Sequence, residues 1–144
     1  MIWELDDLEQ LVPYLDEAHT TLNQAGKPNP DKFRYLLKDL FPTRQCWVIG
    51  NFRAALFGVV YPHPWADHLV GMIPWSFYRQ TYRPGAEFIR LYQRYIEWAE
   101  SQGAYEINFS YQGHLSERWR QRLSRWGPDR MEATYTRLIV GSVS

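Results

Sequence analysis

The first candidates for chemistry in this sequence lie in the loop segment YPHPWADH, which contains His63, Asp67 and His68. An imidazole next to a carboxylate can accept a proton from a substrate, and the same groups can hold a metal ion. Two histidines with this spacing around one aspartate are a weak metal pattern, and no cysteine accompanies them. We therefore expect no metal site, and we retain His68 as a candidate base.

Two further candidates for proton transfer lie on or after a later predicted strand. Glu106 lies on the segment YEINFSY, and Tyr111 ends it. A carboxylate is a candidate general base and a phenol a candidate general acid. If Tyr105 and Ile107 face the core, alternation turns Glu106 outward.

A possible anion loop precedes the longest predicted helix, in the segment YRPGAEF. Arg83 supplies a positive charge, and the N–H groups that follow Gly85 begin a helix, where phosphates bind well. Pro84 is equally suited to start a helix with no ligand involved. From the residues alone both interpretations stay open.

Composition excludes several classes of function. Acidic and basic residues balance at 16 each, so no bulk charge favours nucleic acid or an anionic membrane. The sequence has no Gly-x-Ser-x-Gly elbow, no phosphate loop with Lys and Ser or Thr, and no paired cysteine. The single Cys46, the acidic N-terminus and the lack of a long apolar run predict a soluble protein that is cytoplasmic where it is made.

The elements that would position these residues follow from hydrophobic spacing. Residues 2–4 predict a short strand, and two helices follow, capped by Asp6 or Asp7 and by Asp31. Strands are predicted at 45–51, 54–62, 69–78 and 105–111, and Pro74 in the third of them predicts an edge, a bulge or a splayed position. A long helix after Arg83 ends at Gly103, and its predicted buried side consists of Phe88, Leu91, Tyr92, Tyr95, Ile96 and Ala99. A basic helix and a last strand complete the order β-α-α-β-β-β-α-β-α-β. We predict one α+β (mixed α/β) domain over residues 1–144, with a mostly antiparallel sheet flanked by helices.

This order and four local stretches resemble the GNAT family of N-acetyltransferases. The stretches are FGVVY, the segment WSFYRQTYRPGAEFIRLYQRYIEWAESQGA, the strand YEINFS, and the closing segment RLSRWG with MEATYTRL. The resemblance covers about residues 45 to 139. It implies the GNAT fold, acetyl-CoA as cofactor and a small amine as acceptor.

The resemblance also implies a cofactor loop. The family pattern is Gln or Arg, two residues, Gly, one residue, then Gly or Ala. In one register, Arg83 occupies the basic position, Ala86 the position of the first glycine and Phe88 that of the last small residue. In a second register, Gly85 occupies the position of the first glycine and Glu87 that of the last small residue. We expect Phe88 to occupy the space that a pyrophosphate needs. The family's acid position falls on Leu123, so Tyr111 would have to substitute for it.

Two functions follow from the resemblance. The loop and the missing acid favour a non-catalytic assembly protein, similar to short GNAT-like bacteriophage proteins, some of them in virions. The alternative is an acetyl-CoA-dependent N-acyltransferase. The aromatic and arginine content predicts a protein partner or a homo-oligomer. A non-catalytic module would fill the crevice between the strands around the long helix with Phe88, Trp75 or Trp126.

Overall fold

The computed structural model describes residues 1–21 and 26–108, and residues 1–110 form one compact unit. The elements are β1 (Ile2–Glu4), a 3₁₀ helix (Leu8–Tyr14) that runs into α1 (Leu15–Thr21), α2 (Pro30–Tyr35) that runs into a π-helical turn (Leu36–Leu40), β2 (Thr43–Ile49), β3 (Ala54–Pro62), β4 (Leu69–Tyr78), α3 (Ala86–Ser101) and β5 (Ala104–Ile107). The predicted order is confirmed as far as β5. The last predicted helix and strand lie outside the described residues.

The strands form one five-stranded sheet in the order β1-β2-β3-β4-β5. The pairs from β1 to β4 are antiparallel, whereas β5 pairs with β4 in parallel. The long crossover that a parallel pair requires is supplied by α3. The predicted α+β class and the mostly antiparallel sheet are confirmed.

Side chains alternate between two apolar layers along the central strands. Cys46, Val48 and Phe57 belong to a buried cluster with the residues of α1, α2 and their extensions. Trp47 lies on the opposite face, where its ring contacts Tyr95 and Trp98 of α3. The sheet therefore has helices packed against both faces.

The starts of the two N-terminal helical segments show one confirmed cap and one correction. The Asp7 side chain accepts a hydrogen bond from the Glu9 N–H at 3.0 Å, as predicted for one of the two candidate aspartates. The second helix begins at Pro30, and Asn29 caps it by accepting from the N–H groups of Asp31 and Lys32. The prediction that Asp31 is the cap was wrong because Pro30 suits the first helical position, which leaves the preceding Asn29 as the cap.

Pro74 lies where β3 and β4 change register. Phe57 pairs with Trp75 and Val59 with Met72, so two residues of β4 face Gly58 alone. A bulge accommodates proline because the extra residue needs no ladder hydrogen bond. The predicted irregularity at Pro74 is confirmed.

α3 buries the predicted stripe of residues, and its end is the predicted one. The stripe is Phe88, Leu91, Tyr92, Tyr95 and Ala99, with Ile96 half-buried. Gly103 follows the helix with φ of +87°. No helix among residues 1–21 and 26–108 is long and apolar enough to cross a membrane.

Candidate functional site

The strands β4 and β5 stay paired for only a short distance. Register pairs join Leu69, Val70 and Gly71 of β4 to β5, and the Asn108 N–H donates to the Gly71 carbonyl at 2.9 Å. β4 continues to Tyr78 and leads, through residues 79–85, to the start of α3. A ligand at the N-terminus of α3 would therefore lie beside the part of β4 that does not pair with β5 among the described residues.

The start of α3 has backbone donors that no described residue uses. Gly85 is the N-cap and offers no side chain, while the N–H groups of Phe88 and Ile89 donate to its carbonyl at 3.1 and 3.4 Å. The N–H groups of Gly85, Ala86 and Glu87 donate no hydrogen bond to any residue of the described segments. A helix start with unused N–H groups attracts an anion through both hydrogen bonding and the helix dipole.

The described residues leave space beside these donors. A Cβ added at Gly85 would meet no heavy atom of residues 1–21 and 26–108 within 4 Å. The cofactor residues predicted from the sequence, Gly85, Ala86 and Glu87, are therefore brought together around space that no described residue fills.

Phe88 is not in that space. Only 3% of its surface is exposed, and its ring lies 5.7, 6.4 and 5.6 Å from the rings of Tyr78, Tyr82 and Tyr92. The expectation that Phe88 fills the pyrophosphate site was wrong. As the third residue of α3, it lies on the face of the helix that packs on the sheet.

The Glu87 carboxylate in the first turn of α3 is offset by nearby cations. It lies 2.6 Å from the amino group of Met1 and 3.7 Å from Arg53. The hydrogen bond from the Met1 amino group is the main cause that lowers the pKa of Glu87, and charges on Met1, Arg53 and Arg90 add to it. The repulsion that this carboxylate would exert on a phosphate is correspondingly reduced.

The arginines around the loop differ in availability. Arg79 is engaged, since it pairs with Glu17 at 3.2 Å and its guanidinium lies 5.6 Å from the Tyr14 ring centroid. Arg83 and Arg90 are exposed and form no ion pair within the described segments. These two side chains are free to reach an anion at the start of α3.

A second group of polar residues lies at the opposite end of β4, which is roughly 30 Å long. The His68 Nε2–H donates to Glu106 Oε2 at 3.0 Å, with both side chains about a third exposed or less. This bond is the main cause that lowers the pKa of Glu106. Two of the three predicted catalytic residues are thus brought together.

His63 joins this pair, whereas Asp67 does not. The imidazole rings of His63 and His68 are 4.7 Å apart, and one ligand atom from each histidine and from Glu106 lie within 4.8 Å of one another. The Trp65 N–H donates to His63 Nδ1 at 3.2 Å. Asp67 is the nearer carboxylate in the sequence, but the parallel register places Glu106 opposite Val70 and next to the loop.

The predicted direction of the β5 side chains was wrong in one respect. Tyr105 is 85% exposed, although it was expected in the core. Ile107 lies on the α3 side, 3.6 Å from where a Gly71 Cβ would stand. Tyr105 lies on the same face, two residues nearer the start of β5. Its ring centroid there is 5.4 Å from that of His68.

The remaining predicted site residues lie in part outside the described segments. Tyr111, the predicted acid, and Trp126, a predicted crevice filler, belong to residues 109–144. Trp75, another predicted filler, packs instead against Phe33 and Phe77, each with ring centroids 5.0 Å away. Neither of the described fillers, Phe88 and Trp75, occupies the space beside Gly85.

Comparison with known structures gives the fold. A putative acetyl transferase from Pyrococcus furiosus is 12% identical over 96% of this chain and 99% of its own, with a TM-score of 0.69. An aminoglycoside acetyltransferase from an uncultured soil metagenomic sample is 13% identical, covers 98% of each chain and has a TM-score of 0.66. A ribosomal-protein-alanine N-acetyltransferase from Brucella melitensis is 14% identical over 96% of this chain and 99% of its own, with a TM-score of 0.64.

No family model matches the sequence, and no curated protein is similar to it in sequence. The structural likeness runs over nearly the full chain, at an identity that shows the fold alone. The GNAT-like fold implied by the sequence resemblance is confirmed.

Proposed function

We propose that this protein binds acetyl-CoA at the N-terminus of α3 and transfers the acetyl group to an amine. One observation carries the proposal: among the described residues, the N–H groups of Gly85, Ala86 and Glu87 have no acceptor, and no side chain fills the space beside Gly85. A pyrophosphate supplies the acceptor oxygens and the negative charge that such a helix start attracts.

The local charges support the same ligand. Arg83 and Arg90 are exposed beside the helix start, and Arg53 offsets Glu87 at 3.7 Å. Guanidinium groups bind phosphate oxygens through paired hydrogen bonds. The edge of β4 between Met72 and Tyr78 then offers backbone groups along which the rest of the cofactor can extend.

The amine acceptor is supported by the similar structures alone. Two of them are an aminoglycoside acetyltransferase and a ribosomal-protein-alanine N-acetyltransferase, and the second of these acetylates nitrogen. The roles of Glu106 and His68 as base and of Tyr111 as acid stay predictions.

Isothermal titration with acetyl-CoA tests the proposal. Wild-type protein should bind with micromolar affinity, and Arg83→Ala should weaken binding at least about tenfold, which corresponds to about 1.4 kcal/mol. Arg94→Ala is the matched control, because Arg94 is exposed on the same helix about 12 Å further from its N-terminus. Equal binding by both variants would show that the cofactor does not sit at this loop.

Turnover needs its own assay. Thiol release from acetyl-CoA is followed with a panel of aminoglycosides, polyamines and peptides with free N-termini. Cofactor binding without thiol release in the presence of any of these acceptors would indicate a protein that only binds acetyl-CoA. That outcome would contradict the transferase part of the proposal.

A second function is a non-catalytic assembly module, such as a bacteriophage virion component. The observation that favours it is the Glu87 carboxylate, which already lies in the first turn of α3 and interacts with its dipole. Absence of any heat with millimolar acetyl-CoA would favour this module over the transferase.

A further inference from the structure

We propose that His63, His68 and Glu106 form a binding site for a divalent transition-metal ion of the zinc class. The site is separate from the start of α3, and it does not depend on the proposed function. Two imidazoles and one carboxylate are a donor set that zinc uses in proteins, with a fourth position left to water or a ligand.

The three residues come from three chain segments that meet at the end of the sheet where β3 ends and β4 begins. His63 directly follows β3, His68 directly precedes β4, and Glu106 lies on β5. The His63 N–H donates to the His68 carbonyl at 2.9 Å, so the two histidines face each other at the closed end of a hairpin. The parallel pair Val70–Glu106 fixes the third residue beside them.

Metal binding would require only small movements of the three side chains. A tetrahedral ion with ligand bonds of about 2.1 Å separates its ligand atoms by about 3.4 Å. The three available atoms already lie within 4.8 Å, and His68 Nε2 is 3.0 Å from Glu106 Oε2. A metal ion would replace the proton that this pair shares.

The cost of binding is modest. His63 would give up the 3.2 Å hydrogen bond from the Trp65 N–H, a long one, whichever ring nitrogen it uses. The side chains of His68 and Glu106 are 27% and 33% exposed, so an ion can enter from water. Among the described cationic residues, His68 alone pairs with Glu106, so no other cation has to be displaced.

The test is titration of chelator-treated protein with zinc chloride, followed by calorimetry. One equivalent should bind with micromolar affinity or better. His68→Ala and Glu106→Gln should each weaken binding by more than about tenfold, since loss of even an outer-shell partner costs that much. Asp67→Asn is the matched control: it removes a carboxylate from the same loop but not from the cluster, and it should bind as the wild type does.

Two measurements on the unaltered chain guard against variants that fail to fold. Cobalt(II) should give the visible absorption of a tetrahedral site with two nitrogen ligands. Zinc should also slow hydrogen exchange of the β5 amides, because among the described residues three register pairs attach this strand to β4. Binding that Glu106→Gln and His68→Ala retain at wild-type strength would overturn the proposal, and so would an absence of uptake at one equivalent.

The metal site and the proposed transferase are tested by independent measurements. Glu106 cannot hold a metal ion and accept a proton from an amine at once. Metal uptake is measured without acetyl-CoA, so a failure of cofactor binding leaves the result intact, and the reverse also holds.

Discussion

At the residue scale, the position of Phe88 decides how the start of α3 is understood. Its ring packs among three tyrosine rings at the base of the helix, so it leaves open the donors and the space of the loop above it. The aromatic residue that breaks the family's small-residue pattern therefore contributes to stability and does not block the ligand.

Phe88→Ala should lower the free energy of unfolding by about 3–4 kcal/mol, because it removes a buried ring and leaves a cavity. Urea unfolding measures the change, with Ile89→Ala as a control on the half-buried neighbouring position, where the loss should be smaller. Unchanged stability together with tighter acetyl-CoA binding would show that Phe88 does occupy the anion site.

Cys46 is a buried thiol in the apolar segment CWVIG. It is fully buried, and burial raises the pKa of its thiol to about 12. A raised pKa keeps the thiol protonated at neutral pH, and only the thiolate reacts readily. Native protein at about pH 8 should react with an aromatic disulfide reagent more than about a hundredfold more slowly than protein in urea. Comparable rates in the two states would contradict the burial.

At the element scale, the packing of α3 on the sheet depends on two glycines that face one tyrosine. A Cβ at Gly58 would lie 2.5 Å from Cδ1 of the Tyr95 ring, and one at Gly71 would lie 2.7 Å from its hydroxyl oxygen. Both distances are shorter than any real contact of a Cβ. The helix can approach β3 and β4 this closely only because these positions lack side chains.

Gly58→Ala and Gly71→Ala should each cost about 1–3 kcal/mol through overpacking, measured by urea unfolding. Gly85→Ala, where no atom of the described residues lies within 4 Å of the added Cβ, should cost less than about 1 kcal/mol. Tyr95→Phe removes the hydroxyl but keeps the ring. It should therefore offset part of the Gly71→Ala loss and none of the Gly58→Ala loss; an equal offset at both would place the ring elsewhere.

Element order and type could be predicted from the sequence because apolar periodicity is a local signal. The stripe of α3, the hairpin of β2 and β3 and the bulge at Pro74 all follow from spacing and from proline chemistry. The pairing of His68 with Glu106 could not be predicted in this way, since it depends on the parallel register of two strands separated by α3. The helix period predicted Phe88 on the buried side of α3, whereas the family register predicted it in the pyrophosphate site, and the structure agrees with the helix period.

At the scale of the whole molecule, the neutral net charge conceals local ion pairs that connect distant segments. Glu9 lies 2.8 Å from Arg34 and 2.5 Å from Lys38, which links the 3₁₀ helix to α2 and its π-helical turn. Glu87 links α3 to Met1 and to Arg53. The expected protein partner or homo-oligomer stays a prediction, for which Trp65 and Tyr105, each 85% exposed, are the most exposed aromatic side chains of the described residues.

These two carboxylates should make the stability of the fold dependent on acid pH. Hydrogen bonds from Lys38 and then Arg34 lower the pKa of Glu9, and the Met1 amino group lowers that of Glu87. A carboxyl whose pKa is lower in the folded state contributes stability above its unfolded pKa. That contribution is lost as pH falls through the lower, folded pKa.

Glu9→Gln and Glu87→Gln should therefore each destabilise the protein at about pH 7, and the effect should diminish as pH falls towards about 2, because protonation of each carboxyl removes its contribution. Thermal unfolding across that range measures the difference. The two residues lie on opposite sides of the sheet and share no partner, so their effects should add in the double variant. Asp67→Asn, whose carboxylate forms no ion pair with the described residues, is the control and should follow the wild-type profile. A difference between wild type and the Gln variants that persists undiminished at about pH 2 would mean that packing of these side chains, and not their charge, holds the segments together.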